Sequence, residues 1–324
     1  MMEPLKFQPK LKSRVWGGRK LRRYGKRLPP RLPIGESWEI CDNLPDVSRV
    51  SEGMHKGMFL HDLIHAYPQS LIGQRQTPLP YGRFPLLVKF IDATKMLSLQ
   101  VHPDDEYAAK HDRGQTGKTE AWYVVEAEPG AHLYCGLEDG VTRDDFVEAL
   151  QKGNPQDLVI RHAVKAGDAF FIPPGTVHAI GPGILLVEVQ ECSHLTYRVF
   201  DWGRAGRELH IQKALDVIQF SKRTGGRVGA GGARGHGGQV ERVGPIRQLV
   251  SCDKFRFELL RCDRDLTLAN RERRPHILVV IEGRGSLLTD TETGLDLGDT
   301  ILVPADTEQY AVRPDGSLRL LRAI

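Results

Sequence analysis

The apolar positions of this 324-residue chain fall mainly into short strand-like runs, with helical spacing confined to a few segments. Ser37-Trp38-Glu39-Ile40, Phe84 through Ile91, Met96 through Val101 and Trp122-Tyr123-Val124-Val125 all predict strands. Gln100 and His102 stand two apart between Leu99 and Val101. On an extended segment their side chains therefore leave one face while the apolar pair leaves the other. Leu60, Leu63, Ile64 and Tyr67 recur at three and four, predicting a helix within 58–72 that Pro68 disrupts. A short helix is expected after Asp104, closed by a Gly-rich loop before Gly117. Thr142 with Asp145 forms a capping-box pattern ahead of the stripe Phe146, Val147, Ala149 and Leu150, and Gly153 ends that helix. A last helix is predicted over 208–219.

The run Gly167-Asp168-Ala169-Phe170-Phe171-Ile172-Pro173-Pro174-Gly175-Thr176-Val177-His178 is a short apolar strand, a Pro-Pro-Gly turn and a second strand start bearing His178. It is similar to the second cupin motif, G-x5-P-x-G-x2-H, at every fixed position. Between Thr224 and Gln239 eight glycines crowd together with almost no apolar residues, which predicts a flexible linker. Beyond it the pattern returns. Gly298 through Gln309 matches Gly167 through His178 in its Gly, Asp, Pro and Thr positions, with Gln309 replacing His178, and Val279-Val280-Ile281-Glu282 echoes Tyr123-Val124-Val125-Glu126. The Thr142 helix accounts for the extra length of the first copy. The expected fold is mainly β: two cupin-like jelly-roll barrels, with helical insertions in the first. Residues 1–223 form a catalytic domain, 224–239 the linker, and 240–324 a second domain without metal ligands.

A formal charge of +4 is mild, and the basic residues are dispersed apart from a stretch between Arg19 and Arg31, so nucleic acid is not implied. Five cysteines without a CxxC suit a reduced cytoplasmic protein. The first residues lack an apolar signal core, and no run approaches the roughly 20 apolar residues of a membrane span.

His102, Glu120 and His178, with Gln100, supply imidazole nitrogen, carboxylate and amide oxygen, a set that suits an open zinc site. Iron, manganese or nickel would tolerate the same ligands, and the absence of thiolate argues against a closed structural site. Lys118 precedes Glu120 by two residues and shares its face. An anionic substrate supplies a reason for a cation beside a metal. Arg198 and Arg204 add guanidiniums capable of bidentate phosphate contacts, although Arg204 equally suits a salt bridge with Asp201 or Glu208. Glu188 and Glu191 are candidate acid–base groups, with a solvated carboxylate the plainer reading of Glu191. His111, His132 and His162 have no comparable arrangement around them.

These residues together resemble the type I mannose-6-phosphate isomerases in their short bacterial form. The blocks that carry the resemblance are Val15-Trp16-Gly17-Gly18, Gly35 through Glu39, Leu97 through Asp104, Gly117 through Glu120, Pro173 through Ile180, Tyr197 through Trp202 and Leu209-His210-Ile211. The resemblance implies Gln100, His102, Glu120 and His178 as ligands of one zinc ion per chain, and Lys118, Glu188 and Arg198 as active-site residues. Lys118, Arg198 and Arg204 would bind substrate, Arg204 standing where longer relatives carry a lysine. The implied reaction interconverts mannose 6-phosphate and fructose 6-phosphate through a cis-enediol, without a redox cofactor. Glu188, Lys118 and a metal-linked water are all allowed as the proton-transfer base.

Two other functions fit parts of the pattern. A cupin dioxygenase would use the same ligands around iron, and the cations Lys118 and Arg198 weigh against it. A sugar-phosphate-binding protein without catalysis would keep the site but not turn over. The second barrel is expected to be a packing or lid element, with His276 aligned to Glu120.

Overall fold

The computed structural model describes residues 2–74, 79–220, 224–229 and 242–324. Its strands form antiparallel sheets stacked in two pairs. In the first pair, a seven-stranded sheet runs Gly226–Arg227, Ala169–Ile172, Glu120–Ala127, Ile184–Glu191 and Leu86–Ala93. Lys10–Gly18 and Ile34–Ile40 complete it; they pair with each other, and both reach Leu86–Ala93. Its partner is a five-stranded sheet in the order Tyr197–Phe200, Leu99–Val101, His178–Ile180, His132–Leu137 and Val159–Ala163. The C-terminal pair has a large sheet containing Thr300–Val303, His276–Glu282, Leu318–Ala323, Arg256–Cys262 and Ile246–Ser251, and a smaller one built around Gln309–Pro314 and Gly285–Leu288.

Strand periodicity decides which side chain goes where. On Glu120–Ala127, Trp122 and Val124 point into the first sandwich with Phe170, Ile172, Leu133 and Leu186. Their neighbours Ala121 and Tyr123 point the other way, joining Val187, Phe90, Phe257, Val279 and Leu321 in the largest core cluster. That cluster lies between the two large sheets, so strands such as Ile184–Glu191 are buried on both faces. This explains why they read as continuous apolar runs. The few polar residues on the inner face, among them Lys89, Glu120 and Glu188, are therefore forced into the first sandwich.

The internal repeat holds at the level of hydrogen-bond register. Glu120, Ala121, Trp122 and Tyr123 pair with Ile172, Phe171, Phe170 and Ala169. In the second half His276, Ile277, Leu278 and Val279 pair with Val303, Leu302, Ile301 and Thr300. His178 faces Gln100, and correspondingly Gln309 faces Ala269. Arg271, two residues on, lies exposed in the turn after that strand, where the first half has buried His102. The three proposed ligand positions that the register matches, Gln100, Glu120 and His178, are thus all exchanged in the second half. Buried His276 instead meets Tyr310 Oη at 2.8 Å through Nδ1. Burial, then the charges of Arg322 and Arg256, push its pKa down to about 3, so it stays neutral.

Three expectations need revision. Leu5–Lys6 pairs with Leu302 and Ile301, so the N-terminal segment belongs to the C-terminal sheet rather than wholly to the first domain. Gly226–Arg227, inside the expected linker, pairs with Phe171 and Phe170 as an edge strand, because main-chain groups join a ladder without needing an apolar side chain. The remainder of that stretch, from 230, lies outside the described residues. The helix expected within 58–72 is two, Leu60–Ala66 and Pro68–Ile72, since Pro68 has no N–H for the first helix but suits the first turn of a second. The capped helix forms as read: it spans Arg143–Lys152, with reciprocal Thr142 and Asp145 bonds and Gly153 in the left-handed conformation.

Candidate metal centre

Three strands and one turn bring the centre together. Leu99–Val101 carries Gln100, and His102 follows it directly; Glu120 opens Glu120–Ala127; His178 opens His178–Ile180, directly opposite Gln100. The ligand atoms of His102, Glu120 and His178 lie within 4.8 Å of one another, and all three side chains are buried. Glu120 Oε1 is 3.3 Å from His178 Nε2, and Oε2 is 3.6 Å from His102 Nε2.

The imidazoles are oriented from behind. Nδ1 of His102 lies 2.8 Å from the Leu195 carbonyl, and Nδ1 of His178 lies 2.9 Å from the Thr176 carbonyl. A carbonyl only accepts, so each Nδ1 carries the hydrogen and each Nε2 presents its lone pair to the centre. Burial depresses both imidazole pKa values, that of His102 to about 3 with help from Lys118. Burial alone would raise the pKa of Glu120, but the charge of Lys118 holds the carboxyl well below its ordinary value. Neither Glu120 oxygen receives an aligned hydrogen bond. Two neutral imidazoles and an ionised, donor-poor carboxylate fit a divalent transition ion. Gln100 presents its amide nitrogen to His178 Nε2 at 3.2 Å, so it would offer its oxygen only with the amide turned over.

Lys118 Nζ sits 2.6 Å from Glu120 Oε2 and 3.1 Å from His102 Nε2. It also lines a cavity of about 560 Å³ together with Gln100, Glu188 and Arg198; the triad itself does not line it, and Lys118 and Gln100 touch both. Glu188 is held by Lys89 Nζ at 2.8 Å and the Trp122 indole N–H at 2.9 Å. Burial, then the charge of Glu120, raises its pKa. Arg198 donates from Nη1 to the Glu208 carbonyl at 2.7 Å, and its buried Nε lacks a partner. Arg204 is not among the residues that line the cavity. Its guanidinium binds Asp201 and, at 2.6 Å, the Met96 carbonyl, the salt-bridge alternative of the sequence reading. Glu191 lies away from the cavity, accepting from the Thr119 N–H and pairing with Lys254.

Sequence reasoning missed several lining residues. Lys89 had a signal: it is one charge inside Leu86-Leu87-Val88-Lys89-Phe90-Ile91, a strand buried on both faces. Arg14 and Glu36, bonded through 3.1 Å contacts, had none, because their meeting depends on the register between two strands. Arg207 also lines the cavity and gave no sign of it in sequence.

Residues 5–126 match the family described as phosphomannose isomerase type I, catalytic domain. Over 309 residues, 93% of each chain, the sequence is 35% identical to the mannose-6-phosphate isomerase ManA of Bacillus subtilis. The chain belongs to the type I phosphomannose isomerases. The mannose-6-phosphate isomerase of Streptococcus mutans is 33% identical over 329 residues, covering 99% of this chain and 98% of that one. A crystal structure of the mannose 6-phosphate isomerase from Bacillus subtilis superposes over 100% of both chains with a TM-score of 0.88 at 29% identity. The full-length overlap places this chain with the short bacterial phosphomannose isomerases, and both sandwiches lie within the shared fold.

Proposed function

We propose that this chain interconverts mannose 6-phosphate and fructose 6-phosphate through a cis-enediol, using one zinc ion held by His102, Glu120 and His178, with Gln100 as fourth ligand. The observation that carries this reading is the buried His–Glu–His triad next to a cavity lined by Lys118, Glu188 and Arg198. Zinc there would act as a Lewis acid on the sugar's C1 and C2 oxygens. Lys118 and Glu188, 3.9 Å apart, are lining groups able to move a proton between C2 and C1. The raised pKa of Glu188 keeps its carboxyl closer to neutral pH, where it can both take and return a proton. Arg198 would meet the anionic end of the substrate, and no redox cofactor is needed.

In this reading each sheet pair is a cupin-like jelly-roll barrel. The first, within residues 1–223, is catalytic, and the second, 240–324, is a metal-free packing element. Among the described residues no helix is long and apolar enough to cross a membrane. The free cysteines suit the cytoplasm. The cationic lining favours a sugar phosphate over the apolar substrate of an iron dioxygenase. The test is a coupled assay for fructose 6-phosphate formed from mannose 6-phosphate, run with metal, after chelation, and after zinc is restored. Activity that vanishes and returns with zinc is the expected result; product formation indifferent to thorough chelation would overturn the metal assignment, and no product from the zinc-loaded enzyme would overturn the reaction.

A further inference from the structure

Charge is distributed unevenly around the cavity. Along its inner wall Arg14 pairs with Glu36 and Lys89 with Glu188, while Lys118 reaches back to Glu120 of the buried triad behind the lining, so each cation there already has a carboxylate against it. Around the Arg198 end, the balance fails. Arg204 and Arg207 share the single carboxylate of Asp201, Arg207 through contacts of 2.8 and 2.6 Å, while Arg198 bonds only to a backbone carbonyl. Three guanidiniums against one buried carboxylate leave two positive charges. The Glu208 carboxylate nearby is exposed and lies 3.8 Å from His210. Burial, then the charges of Arg207 and Arg204, depress the Arg198 pKa, and the opposing charges of Asp201 and Glu208 do not offset them.

Of the two arginines on Asp201, one faces inward. Arg204 is turned to the Met96 carbonyl, pinning the loop to the start of Leu99–Val101. Arg207 lines the cavity beside Arg198, and its Nη1 has no bond to Asp201. Asp201 fixes the Arg207 guanidinium through Nε and Nη2, so the remaining edge is held in place for an oxygen acceptor.

Resting on the sugar-phosphate reading above, we infer that Arg207 rather than Arg204 is the second guanidinium that, with Arg198, grips the substrate's phosphate and sets the preference for phosphorylated over free sugar. A phosphate dianion matches the two uncompensated charges, whereas at the inner wall it would displace existing ion pairs. The inner wall, its cations already paired, is left to the hydroxyls and the reacting carbons.

The experiment compares wild type with Arg207→Gln and Arg207→Lys, each checked for Tm and bound zinc. It measures kcat/KM for mannose 6-phosphate and for unphosphorylated mannose, inhibition by inorganic phosphate, and phosphate binding by calorimetry. Arg207→Gln is expected to lower the phosphorylated-to-free ratio about tenfold to a hundredfold, mostly through KM, and to weaken phosphate inhibition similarly, with Arg207→Lys intermediate. An unchanged ratio and unchanged phosphate affinity in a zinc-replete Arg207→Gln would overturn it, as would equal losses on both sugars. Should wild type fail to isomerise mannose 6-phosphate, the earlier reading falls, and the calorimetric comparison still decides whether Arg207 binds phosphate.

Discussion

Lys118 Nζ and Glu120 Oε2 stand 2.6 Å apart in a fully buried pair, on side chains that leave the same face of one extended segment. The ammonium draws on the atoms that would serve a metal, Glu120 Oε2 and His102 Nε2, so cation and metal would compete for them. Lys118→Met should therefore leave zinc stoichiometry at wild-type level or improve retention against chelator, while kcat falls by about 10²–10⁴ through loss of a proton-handling group. Zinc content by atomic absorption beside steady-state kinetics decides it; a variant that loses zinc would make Lys118 a support of the metal.

His178→Ala removes an imidazole set by the Thr176 carbonyl and packed edge-on against Trp122. Metal content and isomerisation should fall together, and added zinc should restore little. Full stoichiometric zinc in this variant would take His178 out of the ligand set.

His276 gives a pH prediction free of the metal. Its folded pKa, depressed by burial to about 3, lies below the unfolded value near 6.5. The unfolded chain therefore binds the proton more readily, so the stability His276 contributes is present above pH 6.5 and is lost as pH falls toward 3. Between pH 7 and pH 5 the loss amounts to about 2 kcal/mol. Urea unfolding of wild type and His276→Gln at both values should show a shallower acid dependence in the variant. Parallel curves would mean that His276 is protonated in the fold.

Gly181→Ala probes the frame beneath the site. A Cβ at Gly181 would stand 1.9 Å from the His132 carbonyl, so the two strands that meet there must part. A loss of about 3 kcal/mol or more is expected, read as a drop in Tm. A wild-type Tm would show that the strand shifts freely.

The sequence made the centre legible because strand alternation is a strict rule: Gln100 and His102 two apart, Lys118 and Glu120 two apart, and His178 after a rigid Pro-Pro-Gly turn. The repeat was legible for the same reason, and its register agrees across both halves. What escaped depended on how separate segments meet. Arg204 and Arg207 are three residues apart on a loop with no periodicity to rank them, and only the Met96 carbonyl draws one away. Leu5 and Lys6 look like the start of the first domain, yet their partners lie nearly 300 residues on. Pairings at such separation leave no local pattern to read.

The shared register of the two halves separates scaffold from chemistry. Where Gln100, Glu120 and His178 stand in one sandwich, Ala269, His276 and Gln309 occupy the matching rungs of the other. Catalytic ability in this molecule is accordingly a matter of decoration. One copy of the frame gathers a buried cluster suited to an ion, whereas its twin buries only a neutral His276 at the matching rung and turns Ala269 and Gln309 to solvent.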